Sequence, residues 1–158
     1  MEKLINIFSL FIVALIFNIS AEAADKKNGN ENIQAIVIQQ FVEEAKKNDN
    51  WKIAFVTGKN EQIVFMNISP RTNPSNEIGE EIHPFDQVIL IAEGNGKAIL
   101  NGKISLLKTG DMIFIPQGVA HNVINLEKEK ELKIISFYSN NDIPEGAVYK
   151  KRTDEKQE

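Results

Sequence analysis

From residue 51 to residue 138 the chain repeats one pattern: a short apolar run, then a cluster of turn residues. The runs lie at 51–57, 62–68, 87–92, 97–100, 103–107, 112–115, 121–126 and 132–138. Between them stand Gly58-Lys59-Asn60, a proline-bearing stretch at 69–77, Gly94-Asn95-Gly96, Asn101-Gly102, Thr109-Gly110-Asp111, Pro116-Gln117-Gly118 and a charged turn at 127–131. Runs of this length at hairpin spacing, with no helical segment of crossover length between them, predict antiparallel strands and an all-β domain. Asn101-Gly102 is the strongest single turn signal, because a two-residue type I′ turn needs positive φ at both positions. Closing such a sheet removes its open edges and leaves an interior lined by alternate residues, a natural pocket for a small molecule.

Before residue 51 the period changes. Ile33, Ile36, Val37, Gln40, Phe41, Glu44 and Ala45 recur at helical spacing, which predicts an amphipathic helix over 33–47 after a polar, flexible lead at 24–32. Residues 4–19 are largely apolar, preceded by Lys3 and followed by Ala21-Glu22-Ala23-Ala24. That order reads as a signal peptide over 1–23, so the expected location is the periplasm or outside the cell, without stable membrane association after cleavage. Past Ser139 the apolar content falls, and a disordered tail is predicted over 150–158.

The remaining totals narrow the picture. With 158 residues there is room for one compact domain, here 51–149. A net charge of −4 recruits no nucleic acid. Cysteine is absent, so disulfides and thiolate chemistry are out. Trp51, Phe55, Phe65, Phe114 and Phe137 sit at strand spacing and read as core. Phe65, Phe114 and Phe137 are also expected to line the pocket, with Phe85 walling it beside His83.

Nucleophile elbows, dinucleotide loops and phosphate loops find no match. The chemistry must come from elsewhere. The chain has two histidines, His83 and His121. Glu81 is two residues before His83, so on a strand both face the same side. Gln87 has the same parity, although Pro84 bends the path. One carboxylate and two imidazoles suit a divalent ion, with the Gln87 oxygen as a weaker fourth donor. The spacing equally allows a plain Glu81–His83 ion pair, with His121 hydrogen-bonded in a loop.

A family resemblance enters at Gly110, Pro116, Gly118, His121 and Asn125. Their spacing resembles the second cupin motif at every fixed position. The first motif is matched in part: His83 falls at its second histidine, Glu81 replaces the first, Gln87 replaces the glutamate, and Gly94 closes it. The resemblance covers about 51–149 and is similar to small single-domain cupins with E-x-H…D-Q in that motif. It implies a double-stranded β-helix (jelly-roll) barrel with an N-terminal helix, and a divalent metal, Fe, Mn, Zn or Ni, on Glu81, His83, Gln87 and His121. It further implies a metal-binding protein, an isomerase or epimerase, or an oxygenase, acting on a small oxygen-rich ligand; the signal-peptide reading makes that protein an exported one. The alternative is a periplasmic binding or sensing module without catalysis. Small cupins often pair, so a homodimer is a further expectation.

Overall fold

The computed structural model describes residues 35–157. In chain order these form helix α1 (Phe41–Lys47), then strands β1 (Lys52–Thr57), β2 (Gln62–Ile68), β3 (Gln87–Glu93), β4 (Asn95–Leu100), β5 (Lys103–Lys108) and β6 (Met112–Ile115). After these come β7 (His121–Asn125), β8 (Leu132–Tyr138), β9 (Val148–Tyr149) and a 3-10 turn (Asp154–Gln157). The six-stranded sheet has the order β6-β3-β8-β2-β1-β9, and the three-stranded sheet the order β5-β4-β7. Every strand pairing is antiparallel. The fold is an all-β jelly roll, built from the antiparallel strands that the run-and-turn pattern predicts. Asn101 and Gly102 both take positive φ, 45° and 78°, in the hairpin between β4 and β5.

Strand parity divides the six-stranded sheet into two faces. The inner face carries Val64, Met66, Ile68, Ile89, Ile91, Leu132 and Ile134, packed against Ala98, Leu107 and Val123 of the smaller sheet. The outer face carries Phe65, Ala92 and Ile135, covered by Ala45 of α1, with Phe41, Phe55, Leu90 and Phe137 around them.

Two expectations are corrected at the ends. Among the described residues the helix runs over Phe41–Lys47, where the spacing predicts 33–47. Gln40 adopts a left-handed backbone (φ 51°), and Ile36 and Val37 stand 66% and 88% exposed. Their helical spacing is present, but only Phe41 and Ala45 meet the sheet, and short helices depend on such packing. Ile33 and the predicted signal peptide lie outside the described residues. The C-terminal tail, expected to be disordered from 150, instead turns back on β1. The Trp51 indole N–H donates to Glu155 Oε2 at 3.0 Å, and Lys52 Nζ pairs with Glu155 Oε1. Polar anchoring of this kind leaves no apolar period to read.

Candidate metal centre

The segment between β2 and β3 places the site. Glu81 and His121 form an isolated antiparallel bridge, Glu81 N–H donating to the His121 carbonyl at 2.9 Å and His121 N–H to the Glu81 carbonyl at 3.0 Å. Directly opposed residues of an antiparallel pair put their side chains on one face. His83, two residues on, joins that face. The Gly118 N–H donates to the His83 carbonyl at 2.9 Å, and Val119 N–H to the Pro116 carbonyl at 3.2 Å. Gly118 takes φ 79°, which a side chain would strain. The Pro116–Gly118 turn therefore both launches β7 at His121 and clamps the backbone of His83.

Three donors from two distant stretches converge. One candidate ligand atom each from Glu81, His83 and His121 lies within 4.8 Å of the others. Glu81 Oε2 accepts from His83 Nε2 at 3.2 Å and lies 3.9 Å from His121 Nε2. The two imidazole centroids are 5.2 Å apart. His121 Nδ1 donates to the Val119 carbonyl at 3.0 Å, which fixes the tautomer and leaves a lone pair on Nε2. That Nε2 is buried and has no hydrogen-bond partner. Buried polar atoms are almost always paired. This orphan, beside a carboxylate and a second imidazole, fits a divalent cation.

Burial and charge set the protonation states. Burial alone would raise the Glu81 pKa. The hydrogen bond from His83 and the ammonium of Lys52, 3.9 Å away, outweigh it and hold the carboxyl below its ordinary value. His121 is pushed below the usual imidazole value chiefly by burial, against the pull of the Val119 carbonyl and Glu81. Burial likewise raises the Tyr138 phenol, so it stays protonated. The Glu81 and His121 shifts favour an ionised carboxylate and a neutral ligating imidazole, the forms that a metal needs.

Gln87 opens β3 and is buried. Its Cα faces Tyr138 of β8 in register, and its Nε2 donates to Ser136 Oγ at 3.3 Å. Its Oε1 is a second buried atom without a partner. Phe85 walls the site, stacked on the His83 ring at 4.8 Å and 15°, with Tyr138 tilted against both. The other three aromatic assignments are corrected. Phe65 and Phe137 belong to the outer face under α1, and Phe114 points to solvent at 58% exposure. Odd numbering on β2 and β8, and even numbering on β6, face away from the interior. Asn125 braces a turn: its Nδ2 reaches the carbonyls of Ile68, Ser69 and Lys130, and its Oδ1 accepts from Glu127 N–H.

Sequence reasoning missed Lys52, Glu155 and Tyr138. Lys52 is 3% exposed, which its sequence context of Trp51 and Ile53 hints at but does not prove. Tyr138 was visible only as the end of an apolar run.

The cupin domain family model matches residues 71–138. An uncharacterized protein of Acanthamoeba polyphaga mimivirus is 33% identical over 122 residues, 74% of this chain and 73% of that one. The crystal structure of BH2720 from Bacillus halodurans superposes with a TM-score of 0.73 at 26% identity, covering 82% of this chain and 98% of that one. KdgF from Halomonas sp. shares the fold at a TM-score of 0.50 and 20% identity, over 58% of this chain and 79% of that one.

Proposed function

This chain belongs to the cupin family, and on that premise we propose that Glu81, His83 and His121 hold a divalent ion (Fe, Mn, Zn or Ni), with the Gln87 oxygen as fourth donor. The observation that carries this reading is the buried, unpaired Nε2 of His121, aimed by its own Nδ1 hydrogen bond to Val119. For His83 to ligate through the atom that now faces Glu81, its proton must move to the other ring nitrogen. One carboxylate and three neutral donors leave the loaded site with a net positive charge, which suits a small oxygen-rich ligand.

The reaction classes that fit are isomerisation or epimerisation, and oxygenation, of such a ligand. When bound, the ion supplies Lewis-acid polarisation of a ligand oxygen. The chain's own residues hold the rest in place. Lys52 keeps Glu81 ionised, the Val119 carbonyl keeps Nε2 of His121 free of its proton, and Phe85 with Tyr138 shields one side from water. A second reading, a non-catalytic binding or sensing module, draws support from one feature: Glu81 and both histidines are committed to the ion, and Lys52 is paired. Export belongs to the same proposal and is supported by the apolar run at 4–19 before Ala21 and Ala23.

Elemental analysis of untagged protein, purified with and without oxygen, tests the centre. About one ion per chain is expected, and its loss in the Glu81→Ala, His121→Ala double variant. A metal-free wild type, or a double variant that keeps its ion, overturns the assignment. Cell fractionation with N-terminal sequencing tests export, with a mature start at Ala24 expected.

A further inference from the structure

Lysine is almost never fully buried without a charged partner. Lys52, the first residue of β1, is 3% exposed and touches two carboxylates: Glu81 at 3.9 Å, and Glu155, with which it makes a direct ion pair. The second contact has a definite form. Glu155 Oε1 takes the Lys52 ammonium, and Glu155 Oε2 accepts from the Trp51 indole N–H at 3.0 Å. Consecutive buried residues thus grip one carboxylate, one donor to each oxygen.

The two halves of this contact differ in how they are held. Lys52 opens β1 and Trp51 immediately precedes it; both are core residues, 3% and 4% exposed. The Glu155 side chain is 32% exposed and sits in a four-residue 3-10 turn. That turn is tethered by Lys151 N–H donating to Asp154 Oδ2 at 3.0 Å and by Arg152 lying over the Trp51 ring at 5.8 Å. Short 3-10 segments have weak hydrogen bonding of their own. The grip is therefore preformed and its occupant is the weaker partner.

We infer that Trp51 and Lys52 form a carboxylate receptor beside the Glu81 centre, that Glu155 fills it when no ligand is present, and that the pocket's ligand bears a carboxylate that takes its place. The last step rests on the metal-centre reading, whereas the receptor itself does not. Exchange of one carboxylate for another leaves Lys52 paired throughout, so no buried charge is stranded.

Calorimetric titration of the metal-free full chain with malonate, at fixed ionic strength, tests the receptor. Removing the internal competitor in Glu155→Ala is expected to tighten malonate binding at least about tenfold, the scale of one charge-assisted hydrogen bond. Lys52→Met added to Glu155→Ala is expected to abolish that gain. Trp51→Phe, which keeps the ring and loses the donor, should weaken it in a protein whose fold is checked by circular dichroism. Sulfate and phosphate are run in parallel, and a carboxylate receptor predicts the gain for malonate alone. Equal malonate affinity in wild type and Glu155→Ala, an equal gain for sulfate or phosphate, or undiminished binding in a folded Lys52→Met double variant overturns the inference. Metal content, measured on each protein as purified and before its metal is removed for the titration, reports separately on the centre: its absence from wild type removes the metal reading and leaves the malonate result standing.

Discussion

The two faces of the six-stranded sheet come from the same strands and differ in what they admit. The outer face is closed by α1 over an aromatic cluster, with Phe65 stacked on Phe55 at 4.1 Å and Phe41 tilted against Phe65, Phe55 and Phe137. The inner face is aliphatic through Ile68, Ile91 and Ile134, yet it also buries Gln62, Gln87, Ser136 and Lys52, with His121 facing them from the smaller sheet. Gln62 is satisfied, donating to the Ile143 carbonyl at 2.7 Å and accepting from its N–H at 3.1 Å. Gln87 and His121 each keep a buried atom unpaired. The outer parity holds one as well, Asn67 Oδ1, two residues beyond Phe65 on β2, so an unpaired acceptor, though costly to stability, does not by itself mark a site. The contrast teaches that the site is marked where donors converge, as Glu81, His83 and His121 do, and neither by buried polarity nor by aromatic rings alone, since Phe85 and Tyr138 wall it.

The largest expected effect lies on the outer face. Phe65→Ala should destabilise the protein by about 3–5 kcal/mol in urea unfolding, because it empties the centre of the cluster. The ion bound per folded chain should be unchanged. A parallel loss of metal would break the separation of the two faces. Next comes His121→Ala, expected to lower metal affinity beyond the roughly 10–100-fold typical of an outer-shell change, read by competition with a chromophoric chelator.

The inner face should also carry an acid sensitivity that the outer face lacks. In metal-free protein the His121 pKa lies below its unfolded value of about 6.5. Above that value both states are neutral and pH has no effect through this group. As pH falls below it, the unfolded chain binds the proton first, and stability drops until the folded value is passed. Glu81, also lowered, adds its own loss further down, as pH falls through its folded value from an ordinary 4.5. Urea midpoints measured from pH 8 down to about pH 2 should show both steps, and His121→Asn should remove the first. A midpoint that holds level below pH 6.5 in wild type would contradict a buried neutral imidazole. The smallest effect is expected at Phe114→Ser, within about 0.5 kcal/mol, since that ring is 58% exposed. A loss as large as that of Phe65→Ala would show that the outer surface at β6 is covered in solution.

Much of this was legible along the chain. The alternation of runs and turns specifies the antiparallel strands, because side-chain period and turn chemistry are local properties. Gly110, Pro116, Gly118, His121 and Asn125 mark the turn that launches β7, and Glu81 and His83 share parity two residues apart. The aromatic residues were harder. Phe65 and Phe114 have the same strand-like context, but one is sealed by α1 and the other faces water. Parity says that two faces exist and not which of them another element will cover.

What the sequence determined by itself is therefore the strands, their turns and the identity of the metal-donor candidates, all set by interactions within a few residues. Only the tertiary structure decided that Glu81 bridges His121, that Lys52 points inward to meet Glu155 from the far end of the chain, and that the helix starts only after Gln40. Those outcomes depend on long-range pairing and burial, which join residues such as Lys52 and Glu155 that carry no mark of each other in the sequence.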